Sequence, residues 1–492
     1  MSDLIETLEA GRLDFPLMLA GSDTPTGTLE VRSPWDGRRV GTAATSGPQQ
    51  VDATMGVAWS LYRDRGGWLP VHRRIEILDR LAALMTREAE GLALVAASEG
   101  GKPLADSRVE VHRAIDGVKL CIETLRTEPG QVVPIGTTEA TAGRIAFTRK
   151  EPVGVVVAVS AFNHPLNLIV HQVAPAVAAG CPVVVKPAND TPLSCLNFAR
   201  LLHDAGLPPE WCQVVVAEDL DTAEMLVTDR RVGFLSFIGS AKVGWMLRSK
   251  LAPGARCALE HGGVAPVVVA GDCDRELALT SVLKGGFYHA GQVCVSVQRV
   301  FVPREEAEAF ARDFGERANK LVVGDPTDEA TEVGPLIRPA EVERVGAWVT
   351  EAVEGGATVV TGGMPLHNHC YAPTVLLDPP ADCRVSREEI FGPVVAVYGY
   401  DRIEDAVRAA NDLPTAFQAA VFSRDIDLAL RLYHELDASA VMINDHTAFR
   451  DDVMPFAGLR ESGLGVGGIP YTLDDMQVEK MAVIRSKSIP SG

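Results

Sequence analysis

The chain runs to 492 residues, longer than one hydrophobic core serves, and so predicts two or three domains. A formal net charge of −19 argues against nucleic acid or an acidic membrane surface as a partner, and an anionic substrate would need local arginines to reverse that field. Nine cysteines, without a C-x-x-C pair or a short cysteine/histidine cluster, argue against a disulfide framework or structural zinc and predict reduced thiols and no bound metal.

The opening segment, MSDLIETLEAGRLDF, is acidic and lacks the basic and apolar regions of a secretion signal. No apolar run approaches the roughly 18 residues that a membrane span requires, so a cytoplasmic protein is expected. Regular alternation begins near residue 152. VGVVVAVS (153–160) reads as a buried strand, PLNLIVHQVAPAVAAG (165–180) as a helix closed by glycine, and CPVVVKP as a second strand. The pattern continues with a helix in TPLSCLNFARLLHDAG, a strand in WCQVVVA, a helix near 221–228, a strand in VGFLSFIG, a helix in SAKVGWMLRSKL and a strand in ARCALE. Such alternation predicts an α/β fold with a parallel sheet covered on both faces.

Ligands of these sheets bind at the carboxyl ends of the strands. Asn163, Lys186, Gly239 with Ser240, and Glu260 each follow an expected strand by at most a few residues. Singly they read as a turn former, a solvated lysine, a helix cap and a surface carboxylate; together they would line one crevice. The one G-x-G-x-x-G match, GLGVGG at 463–468, follows no expected strand and precedes IP, so it reads as a glycine-rich loop. Farther along, GGFYHAGQVCVSVQR (285–299) sets Cys294 among small, apolar and amide residues. An isolated cysteine is by default a small buried hydrophobe.

Seven segments containing these residues resemble, in order, the motifs of the aldehyde dehydrogenase superfamily. They are AFNHP, KPANDTP, FIGSAKVG, LEHGGVAP, GQVCVS, EEIFGPV and PFAGLRESGLG, and the resemblance spans about residues 25 to 485. It implies that Cys294 adds to an aldehyde, that Asn163 and the Cys294 backbone N–H hold the oxyanion, and that Glu260 activates water to hydrolyse the resulting thioester. A glutamate at that position favours a free acid product over an acyl-CoA. His261 departs from the apolar residue usual after the glutamate and raises the question of whether it alters the base.

The resemblance further implies NAD as cofactor, with some use of NADP. Lys186 matches the lysine that reaches the adenine ribose, Gly239 and Ser240 the turn at the pyrophosphate, and Glu389 and Phe391 the pair at the nicotinamide ribose and ring. At the position that would repel a ribose 2′-phosphate with a glutamate, this chain has Asn189; Asp190 is adjacent, and no arginine is evident nearby in the sequence.

For the aldehyde, His164, Leu168 and His171 fall at and after the asparagine turn, Val293 precedes the nucleophile, and Arg450 and Phe456 lie in NDHTAFRDDVMPFAG. Arg113, in VEVHRAIDG, is a further candidate whose ordinary reading is an ion pair with Glu110 or Asp116. Two arginines and a histidine suggest a small aldehyde with an anionic tail. SAFNHPLNLIVHQVAPA together with NDHTAFR, MPFAG and SGLGVGGIPYT is most similar to the phosphonoacetaldehyde dehydrogenase branch. Phosphonate-handling members can carry an arginine where this chain has Val293, which keeps succinic semialdehyde and small hydroxyaldehydes open.

The expected architecture is a Rossmann-like NAD(P)-binding domain (1–128 and 151–261), an α/β catalytic domain (262–464) and a β-arm for oligomerisation (129–150 and 465–492). Alternation in RIAFTR and MAVIRS suits edge strands that need partners, which predicts a homodimer or homotetramer. A non-catalytic binding or structural protein would be expected to have lost Cys294, Glu260 or Asn163, and all three are present.

Overall fold

Strand Val155–Val159 is made almost wholly of valine, and its alternate side chains enter different cores: Val156 and Ala158 pack with helices Leu104–Thr127 and Asn167–Ala179, whereas Val155 and Val157 pack with Pro48–Arg63. A strand covered on both faces has no use for a polar side. The computed structural model describes residues 3–127 and 130–489; the expected segment ends that fall on 1–2, 128–129 and 490–492 lie outside the described residues.

Around this strand a six-stranded sheet has the order Gly463–Leu464, Arg256–Glu260, Val232–Ile238, Val155–Val159, Val183–Lys186, Cys212–Val214. All neighbours are parallel except Gly463–Leu464, which pairs antiparallel to Arg256–Glu260. From Val155–Val159 the chain adds strands on one side and then returns to pair Val232–Ile238 on the other. The resulting switch in order opens a crevice at the carboxyl ends, beside Asn163 and Gly239. The alternation read from 153 to 260 is thus an α/β sheet with both faces covered.

A second sheet has seven strands in the order Thr358–Thr361, Thr374–Leu377, Val394–Tyr400, Val297–Pro303, Ala265–Val269, Gln418–Phe422, Ala440–Ile443, with only the first antiparallel. Residues 459–464 contribute to a separate two-stranded sheet and to the first sheet. Leu459–Arg460 pairs with Thr415–Ala416, and Gly463–Leu464 then joins the first sheet.

A third, antiparallel sheet of Val132–Val133, Arg144–Pro152 and Gln477–Arg485 leaves Val132, Ile145, Met481, Val483 and Ile484 exposed. The expected arm segment 465–492 is only partly arm: helix Ile469–Asp475 packs on Asn167–Ala179 and Leu104–Thr127, with Ile469, Leu473 and Met476 fully buried in the first core. Those apolar side chains fix the helix to the body of the protein and leave strand Gln477–Arg485 for the arm. Among the described residues, no helix is long and apolar enough to cross a membrane, and no group of three or more histidine, cysteine, aspartate or glutamate residues could hold a metal ion.

Candidate active site

Six of the nine cysteines are buried; Cys294 is one of three that retain partial exposure. It follows a sharply turned segment in which His289 (φ 46°), Ala290 (φ 53°) and Gly291 (φ 69°) are successively left-handed. A side chain at Gly291 would put its Cβ 2.1 Å from the Gly392 carbonyl oxygen, so glycine lets the Cys294 loop touch the loop carrying Glu389 and Phe391. Val293 and Val295 flank the thiol and pack with Tyr288, Phe417 and Phe456. Burial pushes the thiol pKa up, the Glu389 and Glu260 carboxylates add to that, and Arg450 and the residue's own backbone N–H oppose it. The resting group is therefore a thiol that needs a base.

Glu260 ends strand Arg256–Glu260, and burial pushes its carboxyl pKa up to about 7, with Arg450 pulling the other way. A Cβ at Gly467 would lie 2.2 Å from Glu260 Oε1, so that glycine is what lets the closing loop pass over the carboxylate. A carboxyl group with such a pKa can both take and return protons near neutrality. His261 is not its modulator: the ring Nδ1 lies 2.8 Å from the Gly239 carbonyl, and the ring packs edge-on with Phe237 and Trp245. His261 instead ties the Gly239 turn to strand Arg256–Glu260, whose Glu260 carbonyl also accepts the Gly239 N–H at 3.0 Å.

Asn163 is buried, and its Nδ2 donates to the Gln292 carbonyl at 2.9 Å, leaving the second amide hydrogen for a substrate oxygen. Gln292 in turn accepts the Ile337 N–H and so anchors the turn across the two domains. Behind Asn163, the fully buried Glu110 accepts the N–H groups of Leu166 and Asn167, both at 2.9 Å, and pairs with the equally buried Lys102. This pair supports the start of helix Asn167–Ala179 and escaped the sequence reading, which had offered Glu110 as a partner for Arg113.

Among the residues expected to meet the cofactor, Lys186 Nζ lies 3.1 Å from Asn189 Oδ1, and burial lowers its pKa to about 8 against the raising influence of Asp190. Asp190 receives Arg338 in a forked pair with contacts of 3.1, 3.1 and 2.6 Å. The sequence showed no arginine here because Arg338 arrives from 148 residues away. Ser240 occupies the N-cap of helix Ala241–Ser249 but makes no capping bond, so its hydroxyl and the first N–H groups stay available to an anion. Glu389 Oε1 is buried without a partner, and a Cβ at Gly262 would fall 1.6 Å from it. Phe391 sits at φ 49° with its ring edge-on to Phe162. A carboxylate oxygen without a partner, a desolvated lysine and a free helix terminus suit ribose hydroxyls and phosphates, and a dinucleotide fits these donors and acceptors.

The mouth differs from expectation. Arg113 makes its ion pair with neither Glu110 nor Asp116 but with Asp452, through Nη2 at 2.6 Å and Nε at 3.2 Å. His171 Nε2 lies 2.9 Å from the same carboxylate, and Arg450 Nε lies 3.9 Å from it. Burial tends to raise the Asp452 pKa, but His171 and Arg113 hold it well below the usual carboxylate range. Arg450 stacks over the Phe456 ring at 4.3 Å and donates to the Met454 carbonyl at 2.8 Å, yet it remains close enough to influence both Cys294 and Glu260. His164 is buried with Nε2 3.4 Å from the Tyr288 hydroxyl; burial, then Lys102 and His289, keep its pKa low, so it adds no charge. Leu168 is half-buried on the turn that opens the same helix, its N–H donating to the His164 carbonyl at 3.1 Å. Asp452 and Tyr288 were missed: the first lay inside a quoted segment, but nothing local marks a carboxylate that faces distant arginines.

The aldehyde dehydrogenase family profile matches residues 21–482, and the chain belongs to that family. It is 39% identical over 413 residues to the 3-sulfolactaldehyde dehydrogenase of Priestia megaterium, covering 84% of this chain and 86% of that one. Among solved structures, aldehyde dehydrogenase 21 from Physcomitrella patens, in complex with the reaction product succinate, superposes with a TM-score of 0.92 at 31% identity, covering 96% of this chain and 99% of that one. Glyceraldehyde-3-phosphate dehydrogenase GapN from Methanocaldococcus jannaschii, complexed with NADP, gives a TM-score of 0.88 at 32% identity, covering 93% and 99%.

Proposed function

We propose that this chain oxidises a small aldehyde with an anionic tail to the free carboxylic acid, using NAD(P). The observation that carries the reading is the convergence of Cys294, Asn163 and Glu260 on one crevice whose mouth holds Arg113 and Arg450 against a single carboxylate, Asp452. The Cys294 Sγ adds to the carbonyl carbon as its proton passes to solvent. The developing oxyanion takes the free Asn163 amide hydrogen and the Cys294 backbone N–H. Bound NAD(P) supplies the hydride acceptor that makes oxidation of this adduct to a Cys294 thioester possible. Glu260 then deprotonates the water that releases the acid.

Lys186 with Asn189, the Gly239–Ser240 turn, and Glu389 with Phe391 would hold the dinucleotide. The uncharged Asn189 supports NAD as the main cofactor with NADP accepted. Phosphonoacetaldehyde, succinic semialdehyde and small hydroxyaldehydes are the candidate substrates; a sulfonated aldehyde in the name of one relative and succinate in the complex of another support an anionic tail. The same reading gives cofactor binding to 1–128 with 151–261 and catalysis to 262–464, and makes the exposed apolar arm the contact of a homodimer or homotetramer. NAD(P)H formation with phosphonoacetaldehyde, succinic semialdehyde, lactaldehyde and propanal tests the proposal. Reduction by none of them would mark a non-catalytic protein, and equal kcat/KM for propanal and the anions would remove the anionic tail.

A further inference from the structure

Asp452 is 4% exposed, and its carboxylate gathers side chains from two helices and its own loop: Arg113 from Leu104–Thr127, His171 from Asn167–Ala179, and Arg450. Its backbone carbonyl also accepts the Ile469 N–H at 3.0 Å, which fixes the loop to helix Ile469–Asp475. The charges can therefore be counted. Arg113 and Arg450 contribute two positive charges and Asp452 removes one. Burial, with Arg450 and Arg113 next, keeps His171 toward its neutral form against the pull of Asp452. His164 is neutral, Val293 is apolar, and Glu110, which faces Arg113, already has Lys102. Tyr288 faces Arg113 as an un-ionised phenol, because burial pushes its pKa up. The remaining titratable neighbours of Arg450, Glu260 and Cys294, belong to the reaction itself.

One net positive charge remains at the mouth, and a partly desolvated site binds best the tail that neutralises it. We propose that Asp452 is a positioning and specificity-determining residue that sets the mouth for a monoanionic tail, a carboxylate or sulfonate, and against a dianionic phosphonate or phosphate. This rests on the anionic-tail reading above. Asp452 acts in two ways: it fixes the Arg113 guanidinium through a fork, and it competes with the tail for that same guanidinium. A monoanion is satisfied by the charge left over. A dianion brings a second charge that faces the Asp452 carboxylate, a repulsive element that discriminates between tails of similar size.

The test compares kcat/KM for succinic semialdehyde, phosphonoacetaldehyde and propanal in the full-length protein at saturating NAD. Asp452→Asn should raise the ratio of phosphonoacetaldehyde to succinic semialdehyde about tenfold, because the second negative charge no longer meets a carboxylate. The wild type supplies an independent measurement that needs no variant. As pH rises through the second ionisation of the phosphonate, its kcat/KM should fall relative to that of succinic semialdehyde, whose tail does not change charge. Titration of Glu260 and Cys294 affects both aldehydes and cancels in the ratio. In Asp452→Asn the fall should vanish. If the variant does not fold, the wild-type pH series decides alone. A ratio independent of pH in the wild type overturns the role of Asp452, as does one unmoved by Asp452→Asn. Both outcomes leave the anionic-tail reading standing provided that each anion is used better than propanal; if propanal is used equally well, that reading falls first.

Discussion

The proposed cofactor side and the proposed substrate mouth are built on opposite principles. Lys186, Gly239 and Glu260 sit at the ends of strands in one parallel sheet, and their neighbourhood follows from register: Val159 pairs with Lys186 and Phe237, and Glu260 with Ile238. A side chain at such a strand end is placed by the residues immediately before it. The mouth is held by a carboxylate that meets Arg113 across 339 residues and His171 across 281. No periodicity in either segment encodes that meeting. Strand-end chemistry is therefore local information, and the charge balance of the mouth is a property of the folded chain.

The largest expected effect lies where the two regions meet. Cys294→Ser should lower kcat by on the order of 10⁴-fold or more, because a hydroxyl is a far weaker nucleophile than a thiolate. Affinity for NAD, read by quenching of protein fluorescence, should stay within a few-fold, since Lys186, Ser240 and Glu389 are untouched. A variant with comparable kcat would remove the cysteine from its role.

Glu260→Gln should come next, lowering steady turnover by about 10²- to 10⁴-fold while preserving a rapid burst of NADH, because thioester hydrolysis follows hydride transfer. In the unmodified protein the pKa of this carboxyl is raised to about 7, so its basic form is lost as pH falls through that value. Steady turnover should therefore rise with pH to a plateau above it, and Glu260→Gln should abolish that limb. A burst slowed as much as the steady rate would show that Glu260 also activates the thiol.

The two regions were unequally legible for this physical reason. The strands and helices from 153 to 260 were read from β-branched runs, glycine stops and helical lengths, since buried parallel strands leave little choice of residue. GLGVGG was read as a glycine-rich loop, and its partial conversion to strand Gly463–Leu464 depends on the edge of Arg256–Glu260 being free. The helix within the expected arm segment was overlooked because Ile469 and Leu473 find their cores only in the folded chain. Arg113 was read as a cation or as half of an ion pair with Glu110 or Asp116, but its partner, Asp452, was not visible. Arg338 and Asp452, which pair with side chains from distant segments, carry no local mark.

Arg450 sharpens the contrast further. If its charge serves the substrate, Arg450→Leu should cost roughly 2–4 kcal/mol, or about 30- to 1000-fold in kcat/KM, for succinic semialdehyde, while sparing propanal. Its bonds to the Met454 and Pro455 carbonyls and its stacking on Phe456 offer a purely structural task in the same loop. Equal losses on charged and neutral aldehydes would assign it that task and leave Arg113 as the remaining cation of the mouth.

The smallest expected effect tests whether the cofactor side is as local as its strand ends suggest. Asp190, next to Asn189, is held by Arg338 from the other domain, in a pair whose side chains are 49% and 29% exposed. An ion pair this open contributes little to stability, so Arg338→Ala should leave the fold intact and release the Asp190 carboxylate beside Lys186. A free carboxylate there would repel the 2′-phosphate of NADP and be tolerated by the hydroxyl of NAD. Asn189→Glu should act in the same direction by placing its own carboxylate next to the lysine. Each variant should lower the ratio of kcat/KM with NADP to that with NAD by about three- to tenfold, through KM for NADP rather than kcat. A ratio shifted by Asn189→Glu alone would make phosphate discrimination a local property of the strand end. A shift in both would mean that even the more legible half of the site borrows its selectivity from a residue 148 positions away.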